Sequence, residues 1–478
     1  MNYDYDGNGN LEVITDGNGN KTKYVYDAMN RRTSAIYGYE SETTRSDTWV
    51  YDALNMTNRK GVAITYDARN RILTENSRTY AYDPAGRILS VSGYPNANVS
   101  YAYDALGRIL SETNGGRTHN YAYDLSSRRV KSDYGLSPTQ LTPTHSLSYK
   151  YDTNGRLVSI TDQQNRTTSY SYDLNGNVLK KIHANGYELI YTYDALNRLK
   201  SQIGTLLDNR YYYDLGGNIT YFFNSQNSGS AVNRWEGSLS YDAFDRLVSE
   251  MLYDGVTVKT TNYTYDKNSN RTSRTLVCDG SGNPNWYTET TTYEINSLNQ
   301  VVSATKTHQD LEPFINTPIG VNTTTTSQIS YNERGNLASL YDGEYTTTFL
   351  YDAYDMLVDT FKGKGEGANY EQIRTQSTYD YRGRRIKREV SSIGLTSKTK
   401  TKEYSYADGV SVLETSTSGM TLTYRGSDQG GGVGGVNYTE YSNGNELNYK
   451  IYNLRGDVIK TVGANKNTKS FSHYYAFF

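Results

Sequence analysis

Tyr101-Ala102-Tyr103-Asp104-Ala105-Leu106-Gly107-Arg108-Ile109 reads as one complete strand reversal. The two tyrosines stand at i and i+2, so a strand places both on one face. Asp104 opens a turn, where its carboxylate can accept from backbone amides two residues on. Gly107 suits the left-handed backbone that reverses the chain. Arg108 and Ile109 begin the return strand, which Ser111-Glu112-Thr113 ends. Asn114-Gly115-Gly116 then leads to the next tyrosine strand. One unit is two antiparallel strands and two turns.

The unit recurs along the chain. Tyr191-Thr192-Tyr193-Asp194-Ala195-Leu196-Asn197-Arg198-Leu199 repeats it with asparagine in place of the turn glycine. Further copies lie around Tyr26, Tyr66, Tyr82-Asp83, Tyr123, Tyr151-Asp152, Tyr172-Asp173, Tyr213, Tyr241, Tyr265, Tyr331, Tyr351 and Tyr379. From Tyr82 to Tyr103, Tyr151 to Tyr172 and Tyr172 to Tyr193 the step is 21 residues each time. A lone Tyr-Asp pair means little, but a dozen at near-constant spacing define a repeat protein. The residues assigned a repeat-building role are Tyr82, Asp83, Tyr103, Asp104, Tyr151, Asp152, Tyr172, Asp173, Tyr193 and Asp194.

Composition agrees with an all-β fold. The 478 residues include 50 Tyr against 9 Phe, with 42 Gly and only 7 Pro. Tyrosine favours a half-buried pleated surface, and Gly, Asn and Asp supply turns. A single hairpin is marginal alone, so neighbouring units must stack into one sheet with aligned tyrosines. Twist accumulates across such a sheet and forces it to curl or close. Two closures remain open at this point: a propeller with two units per blade, or a spiral sheet around a cavity.

Lys and Arg total 49 and Asp and Glu 51, and no block of like charge stands out as a nucleic-acid footprint. The locally basic stretches 382–388 and 398–402 read as solvated strand edges. Cys278 is the single cysteine, which excludes an intrachain disulfide. No run of about eighteen apolar residues is present, so no transmembrane helix is expected. The start, Met1-Asn2-Tyr3-Asp4-Tyr5-Asp6, lacks the basic and apolar segments of a signal peptide and falls inside a repeat. The end, His473-Tyr474-Tyr475-Ala476-Phe477-Phe478, stops in what reads as another strand, so the chain reads as a piece of something longer.

The repeated Tyr-x-Tyr-Asp-x-x-Gly-Arg-Ile unit resembles the YD repeats of bacterial Rhs proteins, toxin-complex proteins and animal teneurins. Tyr424-Arg425-Gly426, the glycines from Gly430 to Gly435, and Tyr452-Asn453-Leu454-Arg455-Gly456-Asp457-Val458 resemble the Rhs core-associated region. The resemblance implies a spiral sheet of tandem hairpins forming a hollow shell or barrel-like body around a polypeptide, often a toxin. It divides the chain into a repeat array, 1–410, and a core-associated-like region, 411–478. An irregular insertion is expected at about 278–326, where Pro284, Pro313 and Pro318 interrupt the spacing. The Asp-Pro-x-Gly-type motif of members that cut off their toxin is missing, and so is a toxin domain.

Chemistry is sparse beside this. His119, His145, His183, His308 and His473 show no metal-site spacing. Asp6-Gly7-Asn8-Gly9-Asn10 and Asp16-Gly17-Asn18-Gly19-Asn20 resemble calcium-loop starts but lack the glycine at position six and the closing Glu, so they read as hairpin turns. Neither metal nor cofactor is expected. The recurrent aspartates read as turn caps, not as a glycosidase carboxylate pair. The first functional reading is a shell or scaffold of a secreted or surface protein, with an enclosed polypeptide or toxin as partner and no nucleic acid. The alternative is a carbohydrate-active protein, binding acidic polysaccharide or cleaving it by lyase-type elimination. Its base would be a Tyr or one of His119, His145 and His183, and an Arg would neutralise the uronate. Teneurin-like adhesion to a protein receptor is a third.

Overall fold

The computed structural model describes residues 1–93, 98–114, 116–136, 145–205, 207–228, 231–279, 286–311, 318–364, 371–393, 398–407, 410–416, 419–425, 436–441, 447–452, 458–463 and 468–471. Among these residues there are 41 strands and no helix. Every strand pairs antiparallel with the next one in the chain, from Asn2–Tyr5 with Leu11–Thr15 through to Val458–Val462 with Thr468–Phe471. The fold is therefore a single meander of tandem hairpins. Such a sheet is built from local pairings alone, each closed by a turn of a few residues.

The turn after the tyrosine strand has one recurring geometry. Gly107 N donates to Asp104 O at 3.0 Å and Asp104 N to Arg108 O at 2.9 Å. Gly107 has φ +83°, and Asn197, at the equivalent place, φ +59°. This is a tight turn followed by a left-handed residue, and it inserts a bulge: Ala102 faces Ser111 but Tyr103 faces Ile109. The same register shift falls at Tyr151, Tyr172 and Tyr193. The Asp6 and Asp16 loops take this turn as well, with Asn10 N and Asn20 N on the aspartate Oδ1 at 2.8 and 2.9 Å.

The tyrosines lie on the covered face. In Val99–Tyr103 the burial alternates, with Val99 and Tyr101 buried and Ser100 and Ala102 exposed. Across successive strands this face forms one continuous core, including Tyr121, Leu147, Tyr170, Leu189, Tyr191, Tyr211 and Trp235. Leu147 is 1 % exposed, so Leu147→Ala should lower unfolding free energy by about 2–5 kcal/mol. A urea midpoint unchanged from wild type would show that this face is not the core.

The curling sheet meets itself. Gly17 N donates to Asn268 Oδ1, Arg45 Nη1 to Arg334 O, Tyr354 OH to Glu75 O, Asn114 Nδ2 to Tyr406 O, and Asn185 Nδ2 to Gly463 O. The partners of these and neighbouring contacts lie between 248 and 303 residues further along the chain. A displacement that holds this steadily over so many hairpins defines a spiral whose wraps are joined at a seam. On the second wrap, the seam is made by turn residues such as Asn268, Arg334 and Tyr354. At the corresponding place on the first wrap, Leu106, Leu196 and Phe244 stand exposed.

Among the described residues no pairing joins non-consecutive strands, and the seam is made of turns and side chains. One expectation needs correction. The segment 278–326 is not mainly an irregular insertion. Its described parts are long strands, Trp286–Ile295, Val301–Leu311 and Pro318–Tyr331, that stay in the ladder. Alternating threonines carry the pairing there in place of tyrosines. Pro284 and Pro313 lie outside the described residues, as do the glycines from Gly430 to Gly435, His473, and most of 452–458. Pairing runs on across 410/411, where the strand Val410–Ser416 pairs with Lys398–Ala407 and Tyr406 faces Ser411.

Candidate functional site

Each repeat carries a linked set of polar contacts at its turn. Asp104 Oδ1 accepts from the amides of Leu106 and Arg108, both at 2.9 Å, and Oδ2 from Arg108 Nε at 2.6 Å. Arg108 then reaches the next repeat: its Nη1 donates to Asp124 O at 3.0 Å, and its guanidinium lies over the Tyr123 ring, 4.8 Å from the centroid. Tyr123 closes the set by donating its hydroxyl to Ile109 O at 2.9 Å. The pattern repeats from Asp83 and Arg87 to Tyr103, from Asp152 and Arg156 to Tyr172, and from Asp194 and Arg198 to Tyr213. At Asp173 the arginine is replaced by Asn177, which donates to Asn197 Oδ1 instead. The Asp194 carboxyl is held below its ordinary range chiefly by the Arg198 amide, against partial desolvation and with the Arg198 side chain helping.

Reading the sequence gave the arginine only the start of the return strand. Its reach into the next repeat went unread, although its constant place four residues after the aspartate carries the signal. The tyrosine hydroxyl is the part most easily tested. Tyr103 donates to Ile88 O at 2.8 Å and Tyr172 to Leu157 O at 2.6 Å. Tyr103→Phe and Tyr172→Phe should each cost about 0.5–1.5 kcal/mol, and the double variant should cost the sum. Chemical denaturation of the two single variants and the double checks this. A double-variant loss well beyond the sum would contradict independent rungs.

Two of the three histidines named for chemistry come together. His119 and His145 lie on either side of Tyr134, with ring centroids 5.7 and 4.7 Å from it. Tyr134 OH is 3.2 Å from Tyr149 OH, and the Gly135 amide donates to His119 Nδ1 at 3.3 Å. His183 lies elsewhere, between Tyr187 and Tyr449. All three are sealed in the core, at 0, 0 and 1 % exposure. Burial lowers the His119 pKa to about 4, with Arg117 and Arg384 adding to it, and that of His145 to about 3, with His119 adding to it. His183 falls well below the ordinary value through burial and then the nearby Lys181 charge. These imidazoles are neutral and weakly basic, and no polymer reaches them in this conformation. They pack as polar members of the aromatic core. Among the described residues no group of His, Cys, Asp or Glu is arranged to hold a metal ion. Among the described residues no helix is long and apolar enough to cross a membrane.

A tandem-hairpin spiral with a recurring Asp–Arg–Tyr lock defines a class of repeat protein. The chain carries repeats of the YD (Rhs) type: the family profile described as RHS Repeat matches residues 5–42, 82–119, 151–188 and 172–206. The tRNA3(Ser)-specific nuclease WapA of Bacillus spizizenii is 30 % identical over 238 residues, covering 49 % of this chain and 8 % of that protein. The chain thus spans less than a tenth of the length of that relative. The crystal structure of TcdB2-TccC3-TEV superposes over 99 % of this chain and 30 % of its own, with a TM-score of 0.46 and 15 % identity. That of TcdB2-TccC3 without its hypervariable C-terminal region gives 99 %, 32 %, 0.44 and 14 %.

Proposed function

We propose that the chain is a wall segment of a proteinaceous shell that surrounds a polypeptide, outside the cytoplasm or on a cell surface. The observation that carries this reading is the wrap-on-wrap seam. A sheet that winds past itself and bonds to its own earlier turns makes a continuous wall, whereas an open meander would not. The buried histidines offer no accessible base, which favours a structural role over elimination chemistry. The relative's name as a nuclease, together with the small part of it that this chain spans, fits a wall whose associated polypeptide carries the chemistry. In this reading 411–478, the core-associated-like region, forms the closing part of the wall.

The test is protection. A long unstructured reporter is fused after Phe478 and digested with a nonspecific protease, beside a fusion whose seam is broken. Survival of a reporter segment only in the intact-seam protein is the expected result. Digestion of the reporter at the same rate in both proteins would overturn the enclosure.

A further inference from the structure

Around Glu75 and Arg78 the seam leaves a cavity of about 410 Å³ between the wraps. Five cations line it: Arg59, Lys60 and Arg78 from the first wrap, Arg334 and Arg382 from the second. Three carboxylates oppose them. Glu75 takes Arg59 at 2.6 Å and lies 3.6 Å from Arg78, Asp47 takes Lys60 at 2.8 Å, and Asp355 lies 3.5 Å from Arg334. Asp47 is shared with a further cation, Arg45, at 3.2 Å. Five lining cations thus face three carboxylates, one of which is shared with Arg45.

The cations are also held in place. The Arg78 guanidinium lies over the Tyr354 ring, 3.4 Å from its centroid, and is nearly inaccessible. Arg334 is fixed by Ala353 O and Lys60 O at 2.7 and 3.2 Å. Arg382 donates from Nε to Tyr381 OH at 2.9 Å and forms no ion pair with any described residue, so its two terminal nitrogens keep their donors. The repeat does not require this charge. Its own arginines stand four residues after the turn aspartate and are matched to it. Arg334 and Arg382 stand two residues after Asn332 and Asp380, where other seam turns carry the neutral Asn268, Leu298 and Tyr354.

We propose that this cleft binds a multivalent oxyanion, of phosphate or sulfate esters on a sugar-sized body, and that the bound anion clamps one wrap onto the next. Planar guanidinium donors fixed around a partly enclosed space match oxyanion geometry. A low-dielectric cleft of one sign concentrates the opposite ion. Because the cations come from both wraps, occupancy stabilises the seam by mass action.

The full-length chain is titrated calorimetrically at constant ionic strength with sodium pyrophosphate, then with adenosine diphosphate and with a sulfated heparin disaccharide. Saturable one-to-one binding of at least one, with a rise in thermal midpoint at saturation, is expected. Arg382→Ser should weaken that binding roughly tenfold or more and Arg382→Lys less, while Arg210→Ser, a cation away from the seam, leaves it unchanged. The preference between the last two ligands assigns the source of the oxyanion. No saturable binding of any of the three, or equal affinity in Arg382→Ser, overturns the proposal. Circular dichroism checks folding, and Arg59→Ser, at a half-exposed position, repeats the measurement if Arg382→Ser misfolds. The outcome is independent of whether the wall encloses a polypeptide.

Discussion

Arg384→Met should destabilise the chain by about 3–5 kcal/mol and open the seam, the largest loss expected from any single charge. Arg384 sits between two carboxylates on different wraps. Its Nε is 2.5 Å from Asp380 Oδ2 on its own turn, and its Nη2 is 2.9 Å from Glu112 Oε1, 272 residues earlier. The three side chains are 8, 1 and 2 % exposed. Asn114 Nδ2 also donates to Glu112 Oε1, at 3.0 Å, and bonds to Tyr406 O across the seam. Removing the guanidinium leaves two desolvated carboxylates without their cation, and neither has an alternative route to water. The penalty is thus mostly that of uncompensated charge, not of a lost contact. Two comparisons separate these. The more exposed pair of Arg31 with Asp27, at 26 and 24 %, is built the same way within a turn, and Arg31→Met should cost far less. Adding Asp380→Asn and Glu112→Gln to Arg384→Met should restore much of the loss. Urea unfolding, with limited proteolysis to follow the seam, reads both. A loss in Arg384→Met no greater than in Arg31→Met would refute the role given to the triad.

The second large effect is on acid stability. His119 and His145 have pKa values of about 4 and about 3 in the folded chain, against an ordinary 6.5, with burial as the main cause. The folded state therefore binds these protons more weakly than the unfolded state. Stability is fully present above pH 6.5 and is lost as the pH falls through the window toward 4 and then 3. Shifts of this size correspond to roughly 3–5 kcal/mol for each histidine once the window is crossed, as an upper bound for a pair that shares Tyr134. His183 acts in the same direction. The repeat aspartates weaken the fold only as the pH falls below about 3.8, since their folded pKa values lie below that ordinary value. The interval from pH 6.5 to about 5 lies above the ordinary values of the carboxyls and thus isolates the histidines. His145→Phe, which keeps an aromatic ring beside Tyr134, should flatten the pH dependence in that interval by about a third to a half. An equally steep profile in the variant would rule out His145 as a source of the acid sensitivity.

These two expectations differ in how far they can be read from the chain alone. The turn lock is written in adjacent residues. Asp104, Gly107 and Arg108 meet because a tight turn with a left-handed fourth residue brings them together whatever lies elsewhere. The histidines are different. His119 and His145 are 26 positions apart and join only because consecutive strands bring both against Tyr134. Nothing in their spacing separates a buried pair from an accessible base. The Arg384–Glu112 pair is more remote still, since it depends on where the second wrap falls against the first. The threonine-rich strands between 286 and 331 were obscured for another reason. The tyrosine period fades there, but β-branched residues sustain the same pairing.

What the sequence determines by itself is the hairpin: alternation puts both tyrosines on one side, and the aspartate and the glycine or asparagine set each reversal within about nine residues. Which side becomes the covered one, where one wrap meets the next, and which polar groups are sealed from water belong to the tertiary structure. The reason is physical. Hairpin geometry is governed by neighbours a few bonds away, whereas the pitch sums a small twist over every strand in a wrap. The bonds that stop it are made between residues 248 to 303 positions apart.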